Sequence, residues 1–294
     1  MPMITGPISN CAQRFALSVG IATALVLSGC ASGVRIDTSY TSENQDSRAL
    51  FLVLHYTVGN FQSALGMLTK PSNRAVSSHY LVRDDPVITY RLVDENNRAW
   101  HAGPSFWKGH THLNASSIGI EIVNPGAVKD AEGKLRFSAF SEAQIDAVVA
   151  LCQDIVKRHK IKPENIVGHA DIAPGRKQDP GPMFPWKRLA QAGLIAWPDA
   201  LKVADKIPAY QAHLPDATWF QGKLTDYGFN TSRSGEFDAM TLETIGAFQM
   251  RYRPDRFDGL PDAQTAALLE VVNSPDGMVL TNSTPATQPY TSRW

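Results

Sequence analysis

The sequence lacks an excess of charge of either sign. Its 294 residues carry 28 basic and 28 acidic side chains, so the formal net charge is zero with neutral histidines. A protein that binds nucleic acid chiefly through its phosphates needs a basic excess. Nucleic acid is therefore excluded as the expected partner.

Cysteine is also scarce, because the chain has three, at Cys11, Cys30 and Cys152. The first two belong to an N-terminal segment with the marks of a secretory signal: Arg14, then an apolar stretch at 15–27, then small residues before a cleavage point. The apolar stretch is too short for a permanent membrane span. Cleavage before Cys30 would remove Cys11 and leave Cys30 to carry lipid, so no disulfide framework is expected in the mature chain.

The residues at the cleavage point resemble the lipobox of bacterial lipoproteins. Residues 27–30 are Leu-Ser-Gly-Cys, and in lipoproteins such a cysteine is acylated and becomes the first mature residue. The resemblance implies a signal peptide at 1–29, a lipid on Cys30 and a flexible polar tether at 30–48. Ala31 in place of aspartate favours the outer membrane. The alternative, a buried N-terminal helix, is disfavoured because the apolar stretch has no amphipathic period.

A serine or cysteine nucleophile is not indicated by the sequence. No G-x-S-x-G motif occurs. Ser141 and Gln144 form a capping-box signature, and apolar residues then recur at helical spacing from Ile145 to Val156. Cys152 lies on this apolar stripe, so we interpret it as a small core residue.

Several segments have the patterns of strands. A continuous apolar run at 49–56 predicts a strand buried on both faces of a sheet. In the segment 117–123 three isoleucines alternate with Gly119, Glu121 and Val123, which predicts a strand with two different faces. The remaining strands are a predicted hairpin at 79–83 and 87–93, and a short strand at 166–168.

The pattern of the C-terminal third predicts a separate helical module. From about Ile207 the pattern is helical, and the segment 235–241 is echoed by 259–265, each a glycine turn followed by an aspartate-led helix start. Two copies are too few for a solenoid and fit a three-helix module. The tail after Asn273 is rich in Ser, Thr and Pro and is expected to be disordered.

Two shorter helices precede the module. Asn60 is a candidate cap for a helix that runs to Thr69. Pro185 is placed at the first position of another helix.

The loop 168–181 carries the strongest chemical signal. Its proline and glycine residues stiffen a backbone that presents His169 and Asp179. An imidazole and a carboxylate are ligand types of a catalytic zinc, which keeps one position open for water. The best candidate for a third ligand is His55, at the end of the apolar strand. On its own His55 could equally be a structural residue at the end of a buried strand.

Five motifs in order resemble one enzyme family. They are His55-Tyr56-Thr57, Ser78-His79-Tyr80, Trp100-His101-Ala102-Gly103, Asn114 with 117–121, and the loop 168–181. Together they resemble the zinc-dependent N-acetylmuramoyl-L-alanine amidases of type 2, a family that includes the peptidoglycan recognition proteins. The C-terminal module is similar to a peptidoglycan-binding domain, with its G-x-F-D-x-x-T motif and the sequence Ala247-Phe248-Gln249.

The resemblance implies an architecture and a location. We expect an α/β catalytic domain at 49–198, with a central mixed sheet flanked by helices, then a small three-helix domain at 207–273 and a tail at 274–294. The implied partners are peptidoglycan and its muropeptides, with the membrane reached through the lipid anchor. We expect a monomer in the bacterial cell envelope, on the periplasmic side of the outer membrane.

The resemblance also implies roles for single residues. His55, His169 and Asp179 match the ligands of one Zn²⁺ ion, and Glu121 matches the general base. Lys177 matches the lysine that stabilises the oxyanion. Without the resemblance, Glu121 could be a solvated strand residue and Lys177 a surface charge.

Four further residues are candidate contacts for the substrate or could simply pack: His79, Trp100, His101 and Asn114. Asp171 either orients His169 or shapes the loop. The implied reaction is hydrolysis of the amide bond between the lactyl group of muramic acid and L-alanine.

Two rival functions remain open at this point. His169-Ala170-Asp171 with the downstream His213 could form the two-histidine, one-carboxylate triad of an iron oxygenase. A peptidoglycan-binding protein without catalysis is the second rival, although every position expected of the enzyme is filled.

Overall fold

A computed structural model of the protein describes residues 34, 36–73, 75–133 and 135–280. The chain divides into two units, Met1–Gln45 and Asp46–Trp294. In the first unit the described residues form neither helix nor strand. The expected signal peptide at 1–29 and the lipidation site Cys30 lie outside the described residues.

The second unit contains all the α-helices and strands of the described residues. In chain order they are β1 (Phe51–Tyr56), α1 (Phe61–Thr69), β2 (Tyr80–Val82), β3 (Thr89–Arg91), β4 (Phe106–Trp107), β5 (His110–Thr111), β6 (Ser117–Ile122), β7 (Ala127–Lys129), β8 (Leu135–Phe137), α2 (Glu142–His159), β9 (Ile166–Gly168), α3 (His169–Ile172), α4 (Trp186–Gln191), β10 (Trp197–Pro198), α5 (Ala200–Ala212), α6 (Ala217–Tyr227), α7 (Ala239–Tyr252), α8 (Ala263–Val272) and β11 (Met278–Val279). In the part of the chain described, no helix is both long and apolar enough to cross a membrane.

Five strands form a mixed sheet in the order β3-β2-β6-β1-β9. Strands β2, β6, β1 and β9 run parallel, and β3 pairs antiparallel with β2 as the predicted hairpin. Strand β1 lies between β6 and β9, and all six of its residues are buried. The continuous apolar run therefore marks a central strand, and the expected mixed sheet is confirmed.

One face of the sheet packs on a helical layer. Ile118, Ile120 and Ile122 of β6 contact a core that includes Val148 and Cys152 of α2. Because all five side chains are buried, the alternation of β6 and the helical period of α2 are confirmed together. Cys152 is a core residue, as its position on the stripe predicted.

Helix α2 begins as the sequence indicated, with one difference. The Ser141 hydroxyl accepts a hydrogen bond from the Gln144 backbone N–H at 3.2 Å. The Gln144 side chain does not reach back to Ser141, as a full capping box requires. It donates instead to the carbonyls of Val82 and Val123, at 3.4 and 2.8 Å, and so fastens α2 to the ends of β2 and β6.

The other face of the sheet is shared with the C-terminal module. Phe51 and Val53 of β1 and Val167 of β9 belong to the same apolar core as Phe220 of α6 and Phe248 of α7. These large side chains are buried almost completely. The module therefore packs directly on the sheet, through a hydrophobic core that spans both segments.

The repeated motif builds the module. Asp238 and Asp262 cap α7 and α8, and each accepts a hydrogen bond at 2.8 Å from the backbone N–H three residues later. Gly235 and Gly259, which precede the caps, have φ of +76° and +77°, where a side chain would be strained. The three helices α6 to α8 match the predicted module.

A buried glutamine completes each repeat. The Gln249 amide donates to the Leu260 carbonyl and the Thr265 hydroxyl, and its oxygen accepts from the Gly259 N–H. Gln221 bonds the first copy in the same way, with the hydroxyl of Thr241 in the place of Thr265. The glutamines link each glycine turn to the helix that follows it.

Three boundaries differ from the sequence-based prediction. Helix α5 starts well before residue 207 and contains Pro208, because Asp199 caps it through the N–H groups of Leu201 and Lys202. Pro185 is the cap of α4 rather than its first residue. In the tail, expected to be disordered from 274, Met278–Val279 pairs with Trp197–Pro198.

Candidate metal centre

The candidate site lies where neighbouring strands end. Leu54 pairs in register with Gly168, so the following residues, His55 and His169, emerge side by side from β1 and β9. On the other side of β1, His55 pairs in register with Glu121 of β6. The carboxyl ends of parallel strands meet at one edge of the sheet, which is where ligand sites of such sheets form.

Three donor atoms converge at this edge. The Nδ1 atoms of His55 and His169 are 2.9 Å apart. The Oδ2 atom of Asp179 lies 2.9 Å from the first and 3.0 Å from the second. The loop brings Asp179 back to the strand ends, where its carbonyl accepts a hydrogen bond of 2.8 Å from the Ala170 N–H. All three side chains are buried.

The second nitrogen of His169 fixes the tautomer of that ring. Its Nε2 lies 3.0 Å from the carbonyl oxygen of Ala102. A carbonyl only accepts, so Nε2 carries the proton and Nδ1 presents a lone pair to the site.

A relay of hydrogen bonds fixes the tautomer of His55 in the same sense. Ser117 donates its hydroxyl proton to the carbonyl of Leu113 at 2.6 Å, so its oxygen accepts from Nε2–H of His101 at 3.1 Å. The Nδ1 atom of His101 then accepts from Nε2–H of His55 at 3.0 Å. The Nδ1 atom of His55 is left as a lone pair that faces the other two donors. Such outer contacts orient metal ligands in known sites.

The donor set fits a zinc ion. Two lone pairs and a carboxylate oxygen about 3 Å apart repel one another unless a cation lies among them. Two imidazoles and one carboxylate are a ligand set of catalytic zinc. Burial, together with His169, lowers the pKa of His55 to about 4, so its ring is neutral near pH 7, as a metal ligand must be.

Asp179 supplies the negative charge of the set. Burial alone would raise its pKa, but His169 and His55 hold that pKa far below the ordinary value. The carboxylate is therefore ionised over the whole working range of pH. In the described part of the chain, these three residues form the group that could hold a metal ion.

Glu121 stands beside this group on the adjacent strand. Its side chain is half-buried, but its Oε2 atom is shielded from solvent and has no hydrogen-bond partner among the described residues. Burial and the nearby Asp179 carboxylate raise the pKa of Glu121 well above its ordinary value, while Lys177 opposes the rise. A carboxylate held without partners in such a place is costly for stability and typical of a proton-transfer group.

Lys177 lies in the same neighbourhood. It is half-buried, two residues before Asp179, and its backbone N–H donates to the Ala173 carbonyl at 3.0 Å. Its ammonium group is close enough to act on the pKa of both Glu121 and His55. The loop thus brings a mobile positive charge to the edge of the three-ligand group.

The four candidate substrate contacts divide into two kinds. His79 is fully buried and uses both ring nitrogens, accepting from the Gly119 N–H and donating to the Asn97 carbonyl. Both ring nitrogens of His79 are thus engaged within the protein, and its contact with substrate stays a prediction. His101 is committed to the relay, in contact with a ligand rather than with solvent.

Of the other two candidates, Trp100 lies on the loop before β4 and Asn114 lies on the turn after β5. The Asn114 side-chain oxygen accepts from the backbone N–H groups of His101 and Ala102, at 3.0 and 2.8 Å, which makes it a brace of that loop. Trp100 is 46% exposed, with the Arg98 guanidinium 4.1 Å from its ring centroid. Contact with substrate stays a prediction for His101, Asn114 and Trp100 as well, and Trp100 is the one with an exposed side chain.

The rival oxygenase triad does not form. Asp171 accepts from the Gly168 N–H at 2.8 Å and pairs with Arg251, so it shapes the loop instead of facing the metal centre. His213 is exposed at the end of α5 and is not a member of the metal-binding group.

Three residues around the site were given no role by sequence reasoning. Ser117 ends the histidine relay, Gly119 leaves room for the His101 ring, and Arg251 pairs with Asp171. A glycine inside an otherwise apolar strand is a signal of close approach and could have pointed to Gly119. No local pattern indicates the part of Ser117 in the relay or the pairing of Arg251.

Comparison with known proteins agrees with this geometry. The family model for N-acetylmuramoyl-L-alanine amidase matches residues 45–182, and the model for a peptidoglycan binding domain matches residues 213–269. The chain is 42% identical over 267 residues to N-acetylmuramoyl-L-alanine amidase AmiD of Escherichia coli strain K12. That alignment covers 86% of this chain and 95% of the relative.

Two solved structures with bound ligands are similar to the whole arrangement. One is Escherichia coli AmiD with the substrate anhydro-N-acetylmuramic acid-L-Ala-D-gamma-Glu-L-Lys, at 42% identity and a TM-score of 0.72, covering 81% of this chain and 93% of that one. The other is AmpDh3 of Pseudomonas aeruginosa with anhydromuramic pentapeptide, at 38% identity and a TM-score of 0.73, covering 81% and 96%. Motif order, strand-end geometry and both likenesses agree: this chain belongs to the N-acetylmuramoyl-L-alanine amidase family.

Proposed function

We propose that this amidase cleaves the amide bond between the lactyl group of N-acetylmuramic acid and L-alanine in a zinc-dependent reaction. The observation that carries the proposal is the convergence of three donor atoms within 3.0 Å of one another, with the unpartnered carboxylate of Glu121 on the next strand. His55, His169 and Asp179 would hold the ion. Zinc bound there would supply Lewis-acid activation of a water molecule and of the scissile carbonyl.

Glu121 acts as the proton carrier. Its raised pKa makes the ionised carboxylate a stronger base than an ordinary glutamate, while a cation beside it favours the ionised form. Glu121 takes a proton from the attacking water and returns it to the amine of L-alanine as the C–N bond breaks. One residue can serve both steps because the attacking water oxygen and the departing amine nitrogen are joined to the same carbonyl carbon.

Lys177 acts as the electrostatic partner of the carbonyl oxygen. Negative charge develops on that oxygen as water attacks, and a lysine ammonium stabilises such charge in a partly buried site. The flexible stem of Lys177 lets the charge follow the oxygen as the carbonyl carbon becomes tetrahedral.

The substrate class follows from the family and from the relatives' bound ligands. We infer that the chain acts on peptidoglycan and on muropeptides with a muramic acid joined to L-alanine. Trp100, which is exposed and directly precedes His101 of the hydrogen-bond relay, is the candidate apolar contact for the sugar or peptide.

The location follows from the N-terminal motif. We infer that 1–29 is removed, that lipid on Cys30 and the tether at 30–48 hold the protein at the outer membrane, and that it acts as a monomer in the periplasm. Attachment beside the polymer raises the local substrate concentration. In this proposal the catalytic segment at 49–198 and the module at 207–273 act together on the same polymer.

The roles are tested with a purified muramyl tripeptide and the protein without residues 1–30, the products being identified by mass spectrometry. Glu121→Gln should lower kcat by about 10²–10⁴-fold while one Zn²⁺ stays bound, because the glutamine cannot carry the proton. Glu132→Gln, on an exposed turn, is the matched control and should keep full activity.

Two results would count against the proposal. Release of L-alanyl peptide by Glu121→Gln at the wild-type rate would remove Glu121 from the mechanism. No release by the zinc-loaded wild-type protein, from fragments or from intact polymer, would remove the proposed reaction itself.

A further inference from the structure

Arg251 of the C-terminal module reaches across to the catalytic segment. It lies on α7 and is 6% exposed. Its Nη1 donates to Oδ2 of Asp171 at 2.8 Å, and its Nη2 donates to the carbonyl of Ile166 at 3.2 Å. Its guanidinium also lies 4.0 Å from the ring centroid of Trp186, at the start of α4. A planar cation with several fixed donors can hold such divergent partners at once.

These contacts enclose the turn that carries a proposed metal ligand. Ile166 begins β9, Gly168 ends it, His169 is the next residue, and Asp171 follows two residues later. The Asp171 oxygen that pairs with Arg251 also accepts the Gly168 N–H at 2.8 Å. Arg251 is therefore bonded to the chain both before and after His169.

The pairing gives Asp171 its fixed direction. The Asp171 side chain is almost fully buried, so without Arg251 its carboxylate would lie in an apolar setting with one remaining hydrogen bond. A buried carboxylate that loses its cation either turns away from its remaining partner or moves toward water. Either response would loosen the turn between Gly168 and His169, and ligand positions must hold to a fraction of an ångström.

The apolar packing explains why the bridge comes from the module. The sheet face that presents His55 packs on α6 and α7, and α7 also contacts α3, the short helix that begins at His169. Arg251 is placed there by the helix that also buries Phe248 in the shared core.

We propose that the C-terminal module is a structural part of the catalytic centre, in which Arg251 positions the metal ligand His169 through Asp171. The proposal rests on the metal site of the proposed function. It gives the module a task besides contact with the cell wall, because the zinc affinity of the catalytic segment then depends on a residue of α7.

The test compares the buried Arg251–Asp171 pair with a partly buried ion pair at the end of the same helix, in the full-length fold. Arg251→Met keeps the aliphatic stem and removes the charge, while Arg251→Lys keeps a charge. The matched control is Arg253→Met, at a position two residues after Arg251. It breaks the ion pair between Arg253 and Asp262, which lies inside the module and away from the turn that carries His169. Asp171→Asn, of nearly equal size, is the second test variant in case Arg251→Met does not fold.

The readouts are the dissociation constant for Zn²⁺, by competition with a chelating dye, and the separate values of kcat and KM. Arg251→Met and Asp171→Asn should weaken zinc binding about 10–100-fold, the range for outer-shell partners of metal ligands. The kcat should fall at subsaturating zinc while KM stays near wild type, and Arg251→Lys should recover part of the loss. Arg253→Met should lower stability but keep zinc affinity within about twofold.

The outcomes distinguish the positioning role of Arg251 from the existence of the metal site. Equal zinc affinity in the wild type, Arg251→Met and Asp171→Asn would overturn the positioning role and leave the metal site standing. An equal loss in Arg253→Met would also overturn it, since general destabilisation would then explain the effect. A wild-type protein that binds no zinc would refute the metal site and the inference with it.

Discussion

The substitution Gly119→Ala adds one methyl group and tests whether the hydrogen-bond relay through His101 orients His55. A Cβ atom at this position would lie 2.5 Å from Cγ of His101 and 2.7 Å from Cδ2 and Nδ1 of that ring. Carbon atoms in contact prefer about 3.5–4.0 Å, so in Gly119→Ala the ring must retreat by about 1 Å. A ring displaced that far cannot keep hydrogen bonds of 3.0 Å to His55 and 3.1 Å to Ser117.

The expected magnitude has two parts. Overpacking of a buried strand position costs about 1–3 kcal/mol of stability. Loss of the bond that orients His55 should weaken zinc binding about 10–100-fold, which corresponds to about 1.4–2.7 kcal/mol of binding free energy. The loss of zinc affinity is the decisive result, because it requires the hydrogen-bond relay to His55, whereas a crowded core alone would lower only the stability.

The assay is zinc affinity by dye competition, with stability measured by denaturant unfolding of the metal-free protein. Gly66→Ala is the matched control, since Gly66 lies within α1 and its added Cβ would meet nothing within 4 Å. That control should gain about 0.5–1 kcal/mol of stability from helix propensity and keep its zinc affinity. Gly119→Ala with lowered stability and wild-type zinc affinity would refute the claim that the relay orients His55.

Three further predictions concern the stability and reactivity of the fold. Burial works against ionisation of Glu95, yet hydrogen bonds led by that from Arg158 lower its pKa to about 2 from an ordinary 4.5. The stabilisation is thus present above pH 4.5 and is lost as pH falls toward 2. In Glu95→Gln, the loss of stability between pH 4.5 and pH 2 should be smaller by about 2 kcal/mol, a value reduced for the partial exposure of Arg158. Urea unfolding at several pH values measures this loss, and a pH dependence equal to that of the wild type would contradict the prediction. Burial raises the pKa of the Cys152 thiol to about 12, so a thiol reagent at pH 8 should label the protein without residues 1–30 only after unfolding, and fast labelling of the native state would contradict a core position. Gln249→Leu should cost about 2–4 kcal/mol in urea unfolding because the Gly259 N–H and two further groups lose their partner, and a loss below about 0.5 kcal/mol would show that water replaces it.

Patterns that repeat along the chain predicted the strands, most helices and the facing of Glu121. The alternation of 117–123 put Glu121 opposite the three isoleucines, and β6 has this arrangement. The apolar run at 49–56 placed His55 at a strand end, because such a run must stop where polar side chains take over. These inferences need only the period of two residues that any strand imposes.

The register that unites the site could not be obtained in this way. His55 pairs with Glu121 and lies beside His169 because β1 is central, and that order depends on contacts between segments far apart in sequence. The bridge from Arg251 to Asp171 spans eighty residues, and nothing near either residue in the sequence marks it. The family resemblance supplied the ligand set without the register.

Local rules also misplaced some elements because non-local packing overrode them. The helical pattern was predicted from about residue 207, yet α5 begins at Ala200 and continues through Pro208. It packs along α8, where Lys206 and Tyr210 both bond Glu270. Residues 278–279 looked like part of a disordered tail, yet they pair with 197–198. A short strand of this kind depends on its partner more than on its own propensity.

The central claim is that one zinc ion held by His55, His169 and Asp179 is needed for amide hydrolysis. The most direct measurement is the rate of L-alanyl peptide release as Zn²⁺ is titrated into metal-free protein, with bound metal measured in the same samples. We expect no release without metal, then a rise that saturates at one bound zinc per chain, and loss of both binding and release in His169→Ala. Full activity in metal-free protein, or one tightly bound zinc in His169→Ala, would contradict it.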